Sequence, residues 1–372
     1  MEVEQVQEQS QNQKEISNEE LQVYDRQRFI GVEVQKRLLN AKVFITPANG
    51  VNTELAKNLI LCGTNISIAD NEIVNQDDVE TNFLIAPHDL GKIRGEVVKA
   101  KLQDMNPMVK IDLYQTFDIK SFYQKYILEN NVDCSFTKEF FNQFNIITSS
   151  TPIFKEMELY DEISHFLNIP YYNQLCCGLY GFFYVSLGSL FELTQAKPKI
   201  QKTKIVQGKL VKEPILFEYF HKVSLKSEKL KNFLGTNPRG SKPVYHAIQM
   251  MKRAEDLNLR YDPYNHSEEN QKVLEQIVEL AQEKIKNEED REFYTNFAKF
   301  YGIEHCPVYS VIGSVASQEF IKVIAKDKMP ALNWFVYDSQ IGYGKIESQT
   351  DKIDATYVDL PELTRKVEEQ QE

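Results

Sequence analysis

The sequence predicts an α/β fold, a mostly parallel sheet with helices on both faces and a largely helical insertion. Three observations predict it. Short apolar runs alternate with helix-period segments from about residue 40 to 190. The stretch Ala41 to Gly63 reads as strand, turn and helix, and a second strand (Ile66, Ile68) then ends in Asp70, an acidic residue about twenty positions beyond the turn. After a helix-rich region the α/β pattern resumes at Cys306-Pro307. Together these give a Rossmann-like arrangement. The expected organisation is a disordered tail (1–17), an α/β domain (18–190), a largely helical insertion (191–305), a return to the α/β domain (306–350) and a charged tail (351–372).

Residues 1–17 are polar and almost without apolar anchors, hence the expectation of disorder. A helix is expected from Asn18 or Glu19 to Arg28, carrying Tyr24, Asp25 and Arg26. By residue type alone these are a solvated face with i,i+3 and i,i+4 charge pairs. Gly31 marks a break, and Val34, Leu38 and Leu39 lead a second helix into the strand Val43-Phe44-Ile45.

The turn after that strand is the odd feature. Its setting is that of a dinucleotide loop, with Asp70 placed to hold a ribose hydroxyl. The three glycines such a loop needs are replaced by Pro47, Asn49 or Gly50, and Asn52. Pro47 has no N–H to offer a phosphate. The helix behind it presents Leu55, Ala56, Leu59 and Ile60 on one face.

Further along, Val97, Val98 and Leu102 fit a helix stopped by Pro107, and Val109, Ile111 and Leu113 alternate as a strand. Lys120 to Asn130 reads as a polar helix, Asn145 to Ser149 as a buried strand and Met157 to Leu167 as a helix. Ile169 to Gln174 and Gly181 to Leu187 read as paired strands. Pro214 to Val223 alternates like a lone strand, and helices then follow around Val244, Leu274 and Phe293. Small residues Gly313, Ser314, Ala316 and Ser317 give the helix after Pro307 room for close packing. Trp334 to Asp338 and Gly344 to Glu347 read as a hairpin, and the tail after Leu360 as a frayed helix.

Bulk properties narrow the function. A net charge of -11 argues against a nucleic-acid partner, which wants a basic face. No membrane role is expected: no eighteen-residue apolar run and no apolar leader are present. Five cysteines contain no C-x-x-C pair, so free thiols and no metal site are expected. The broken loop speaks against a dehydrogenase, six scattered histidines form no motif, and G-x-S-x-G and Walker A patterns are absent. The basic stretches Lys197–Lys212 and Lys222–Lys231 read as solvated linkers or a nuclear signal.

Several stretches carry a resemblance. They are Tyr24-Asp-Arg-Gln27 with Arg28 and Gly31, Leu55 to Leu61 with Gly63, Asp70, Asn82 to Ile85, Leu90-Gly91, Asn106-Pro-Met-Val109, and Pro307-Val308 with Gly313, Ala316 to Glu319 and Ile321-Lys322. In order and spacing the chain resembles the ThiF/ubiquitin-activating family, in particular the small, non-catalytic subunits of its SUMO-activating branch. The neddylation-type small subunit and the stand-alone ThiF/MoeB-type adenylating enzyme are the alternatives.

Departures from an active adenylating subunit are as informative. Only a remnant of the loop glycines survives. Glu80 and Thr81 stand where the family has Asn and Arg. Arg94 replaces a Lys, Ser149-Ser150-Thr151 replace an Asp that helps hold Mg²⁺, and two zinc C-x-x-C pairs are missing. The resemblance then implies that this chain binds no ATP or metal alone. ATP and Mg²⁺ would sit on a larger catalytic subunit, which activates SUMO. Arg26 would reach in trans to the γ-phosphate held there; Arg28 is the weaker candidate, because the chain is one residue shorter than the family pattern between Gln27 and Gly31. The resemblance also implies a large obligate interface using the helix at 307–324, and a nuclear location.

Overall fold

The computed structural model describes residues 23–24, 30–124, 129, 138–198, 203–206, 209–212, 217–225, 229–230, 243–347 and 356–359. Helix α1 (Val32–Asn40) leads into strand β1 (Lys42–Thr46), helix α2 (Gly50–Leu61), strand β2 (Asn65–Ala69) and helix α3 (Gln76–Thr81). Helix α4 (Arg94–Met105), strand β3 (Ile111–Tyr114), strand β4 (Ile146–Ser149), helix α5 (Phe154–Leu167) and strands β5 (Tyr171–Cys177) and β6 (Tyr180–Ser186) follow.

Strands β7 (Phe191–Pro198), β8 (Thr203–Val206), β9 (Lys209–Lys212) and β10 (Phe217–Leu225) precede helices α6 (Pro243–Asp256), α7 (Glu268–Glu279) and α8 (Glu288–Lys299). Helix α9 (Cys306–Ala325) and strands β11 (Asn333–Asp338), β12 (Tyr343–Glu347) and β13 (Thr356–Asp359) complete the described chain.

Eight strands form the main sheet in the order β12-β11-β6-β5-β4-β1-β2-β3. From β3 to β5 the pairings are parallel; β6, β11 and β12 add on antiparallel. The period of two explains how the sheet fills both faces. Along β1, Val43 and Ile45 join the cluster formed with α2, α4 and α9, while Phe44 joins the opposite cluster with α5 to α8. Along β5, Tyr172 and Cys176 face the first cluster, Tyr171 and Cys177 the second. Strands buried on both faces must be apolar throughout, which is why these segments read as continuous runs.

Two expectations change. The region expected to be a largely helical insertion opens with antiparallel strands: β7 pairs with β10, and β8 with β9, and the helices α6 to α8 come after them. The supposed lone strand therefore has partners. Its register sets Phe191 opposite Leu225 and Leu193 opposite Val223, and all four are buried in the main core. The tail after Leu360, read as a frayed helix, lies outside the described residues. Before it, Thr356–Asp359 extends this sheet as β13, antiparallel to β10. A backbone edge left open by β10 accounts for it, since unpaired N–H and C=O groups template another strand.

Helix α9 is 20 residues long and apolar enough to cross a membrane by length and composition, yet 61% of that stretch is buried within the fold. Its small residues are used inside the chain. A Cβ at Gly313 would lie 3.0 Å from the Val51 carbonyl oxygen and 3.0 Å from Glu54 Cβ, so α9 and α2 meet almost backbone to backbone. Within the chain, the small-residue stripe thus seats α9 on α2.

Candidate crevice at the sheet switch point

In open α/β sheets, ligands bind where strand order reverses, outside the carboxyl ends of the strands. Here the reversal lies between β1 and β4. The crevice is bounded by the turn 47–50, the start of α2, Asp70 beyond β2 and Ser149 to Thr151 beyond β4.

The floor of the turn is stitched by the residues that replace glycines. Asn49 caps α2, its side-chain oxygen accepting from Asn52 N–H, as a good N-cap residue does. Asn49 Nδ2 also donates to Ser150 Oγ at 2.8 Å, bridging the switch point. Asn52 is fully buried; its Nδ2 donates to the carbonyls of Thr46 (3.0 Å) and Pro47 (2.8 Å), and its Oδ1 accepts from Gln174 Nε2 at 3.0 Å. A side chain thus fills the space that a third glycine would leave for a ligand.

Two exposed N–H groups would remain at the helix start, those of Gly50 and Val51. Both are taken by Glu304, from the segment between α8 and α9. Gly50 N–H donates to Glu304 Oε2 at 2.7 Å and Val51 N–H to Oε1 at 2.8 Å. A Cβ at Gly50 would stand 2.6 Å from Oε2, so the one surviving glycine makes room for this carboxylate. Burial raises the Glu304 carboxyl above its usual range, against the pull of the Val51 and Gly50 N–H groups and of the Arg94 charge.

The ribose end is closed as well. Asp70 Oδ2 accepts from Ala48 N–H at 2.8 Å and from Arg94 Nε at 2.7 Å; Oδ1 accepts from Arg94 Nη2 at 3.3 Å and from Glu72 N–H at 3.0 Å. The other arm of Arg94, Nη1, donates to Asp78 Oδ1 at 2.9 Å. All three charged side chains are buried, and the planar guanidinium makes the fork that an ammonium could not. Asp70 has no lone pair left in a position to serve a sugar.

At the end of β4, Ser149 Oγ donates to Asn173 Oδ1 at 2.6 Å and shares a hydrogen bond with the Tyr171 hydroxyl at 2.7 Å. Thr151 Oγ1 donates to Glu156. Among the described residues no group of three His, Cys, Asp or Glu side chains is arranged to hold a metal ion. Glu80 and Thr81 make only local bonds within α3, to Gln76 and Asp77. The Glu304 carboxylate thus occupies the pair of amides at the helix start.

Arg26 and Arg28 lie outside the described residues. Tyr24, two positions earlier, is buried, and its hydroxyl accepts from Asn106 Nδ2 at 3.0 Å. The same amide nitrogen donates to the Ile60 carbonyl at 2.7 Å. A Cβ at Gly63 would lie 2.9 Å from the Tyr24 ring, so Gly63 is the notch that receives it. Three motif fragments far apart in sequence therefore form one contact, at the C-terminal end of α2. The crevice is at the other end of that helix, roughly 17 Å away at 1.5 Å per residue.

Cysteine chemistry finds no support among the described thiols of the core. Burial pushes Cys176 well up and Cys177 up to about 12, and a thiol is not a nucleophile there. Cys306 is exposed at the start of α9 and Cys62 is half-buried.

Sequence reasoning missed Glu304, Gln174 and the Asp89 network. Asp89 is buried and accepts from Lys92 Nζ (2.7 Å), Lys101 Nζ (2.7 Å) and Ala86 N–H (3.1 Å), fastening the loop before α4. Hydrogen bonds from Lys101 and then Lys92 hold its carboxyl well below the usual range, against burial. A depressed carboxylate contributes stability that is present above its unfolded value of 3.8 and lost as pH falls below it. Asp89→Asn is therefore expected to cost about 2 kcal/mol at neutral pH, the lysines being partly exposed. It should also flatten the acid limb of the melting-temperature profile; an unchanged acid limb would refute the assignment.

The architecture defines a class: an open α/β sheet whose switch-point crevice is occupied by the chain's own side chains. The chain belongs to the ThiF family, whose profile matches residues 24–351. It is 27% identical over 338 residues to the DNA damage tolerance protein rad31 of Schizosaccharomyces pombe, covering 89% of this chain and 97% of that protein. It is 28% identical over 355 residues to SUMO-activating enzyme subunit 1 of Xenopus tropicalis, and 27% over 354 residues to the Homo sapiens protein of that name. Each of these two alignments covers 89% of this chain and 96% of the relative. Among solved structures, a crystal structure of PaaA superimposes with a TM-score of 0.51 at 15% identity, covering 90% of this chain and 84% of that one, a likeness of fold.

Proposed function

We propose that this chain is the non-catalytic subunit of a heterodimeric SUMO-type activating enzyme. It would work with a larger subunit that holds ATP and Mg²⁺, adenylates the modifier and accepts it on a cysteine. The observation that carries this reading is the Glu304 carboxylate seated on the amides of Gly50 and Val51, with Asp70 committed to Arg94. Amides held by the chain's own carboxylate support a reading in which the triphosphate sits on the partner. Similarity to SUMO-activating enzyme subunit 1 along 89% of this chain supports SUMO as the modifier.

The chain's own chemical contribution is Arg26. Tyr24 anchors the start of its motif at the end of α2 remote from the chain's crevice, which favours action on a neighbour over action at home. In a partner's site, a fixed guanidinium would stabilise negative charge growing on the leaving pyrophosphate without reorganisation. A nuclear location belongs to the same proposal.

Coexpression with a candidate large subunit, followed by a thioester assay, tests the reading. The pair should load SUMO and not a neddylation-type modifier, and the purified single chain should give no calorimetric signal with ATP·Mg²⁺. Saturable ATP binding by the single chain would overturn the assignment in favour of a stand-alone adenylating enzyme.

A further inference from the structure

We propose that Glu304 is a tethered phosphate mimic: an anion supplied by the chain itself that keeps the crevice shut and clamps the return from the helices α6 to α8 onto α2.

The geometry separates this from ordinary helix capping. Local capping is already done by Asn49, which takes Asn52 N–H. What remains are two adjacent N–H groups at the positive end of a 12-residue helix, pointing into a crevice at the switch point. Such a pair with the helix dipole is what a phosphate oxygen seeks. Glu304 meets them with both oxygens, at 2.7 and 2.8 Å, from 254 and 253 residues away in sequence. Gly50 is needed for the approach, since a Cβ there would lie 2.6 Å from Oε2.

The carboxylate is also held from behind. Gly302 N–H donates to the Cys176 carbonyl and Gly178 N–H to the Ile303 carbonyl, each at 3.1 Å, so the backbone on either side of Cys177 aligns with this segment. Glu304 follows directly. The carboxylate thus joins three things: the end of β5, the start of α2 and the passage from α8 to α9. Withdrawing it should free the amide pair and loosen that passage together.

This concerns the chain's own crevice and does not depend on the partner or the modifier, so a failed thioester assay leaves it standing. The test uses the full chain with Glu304→Ala and Glu304→Gln, and inorganic phosphate as probe against chloride at matched ionic strength. Glu304→Ala is expected to melt a few degrees lower, about 2–4 °C, and to regain that loss in saturable fashion as phosphate is added. The unsubstituted chain should show no phosphate-specific shift, because its amides are occupied. Glu304→Gln keeps the shape without the charge; it should melt lower with no phosphate recovery.

A phosphate response equal in Glu304→Ala and the unsubstituted chain, or absent from Glu304→Ala, overturns the proposal. If Glu304→Ala does not fold, Glu304→Gln decides: an unchanged melting temperature would show that the charge is not what the amides hold.

Discussion

Arg26→Ala in the reconstituted heterodimer is expected to lower ATP–pyrophosphate exchange on the order of 10²–10³-fold while the dimer stays intact. Size and direction both follow from removing one preorganised donor where negative charge develops. Arg26→Lys should recover little, since an ammonium lacks the planar fork. KM for the modifier should change far less than kcat if, as proposed, the guanidinium addresses the triphosphate and not the modifier. Normal exchange by the Arg26→Ala dimer would leave the chain a scaffold and end the finger proposal.

The second large effect is on stability. Arg94→Ala is expected to cost about 3–5 kcal/mol in equilibrium urea unfolding of the single chain, since it strands Asp70 and Asp78 as buried carboxylates around one vacated cation. Their remaining donors are the N–H groups of Ala48 and Glu72 for Asp70 and of Asn75 for Asp78. Converting both carboxylates to amides in the same chain should return much of the loss, as the cost lies in the unpaired charges and not in the missing packing. A loss below about 1 kcal/mol would mean the triad is solvated and not structural.

The crevice shows which kinds of information a sequence carries. Pro47, Asn49 and Asn52 announce a spoiled phosphate loop because each residue type contradicts a local requirement: a backbone donor, or space for a close approach. Asp70 keeps its place at the strand end, yet only the fold reveals that Arg94 consumes it, because a buried ion pair 24 residues apart has no local signature. The small residues of α9 were legible as a close-packing surface but not as to their partner, which proves to be α2. The strand at Phe217–Leu225 was legible by its alternation, but its partner at Phe191–Pro198 and the pair Thr203–Val206 and Lys209–Lys212 were not. Basic and polar residues carry little alternating signal, and pairing partners decide such segments more than propensity does.

By itself the sequence determined the α/β class, the two-faced burial of the central strands and the loss of the glycine loop. These follow from periods of two and 3.6 and from what proline and glycine can do with a backbone. The anchoring of Tyr24 on Gly63 and Asn106, the filling of the helix terminus by Glu304 and the closing of the crevice were decided only by tertiary structure. Contacts across some 40, 80 or 250 residues are set by how helices pack onto the sheet. There too lies the fate of the helix-start amides, held by a carboxylate more than 250 residues further along the chain.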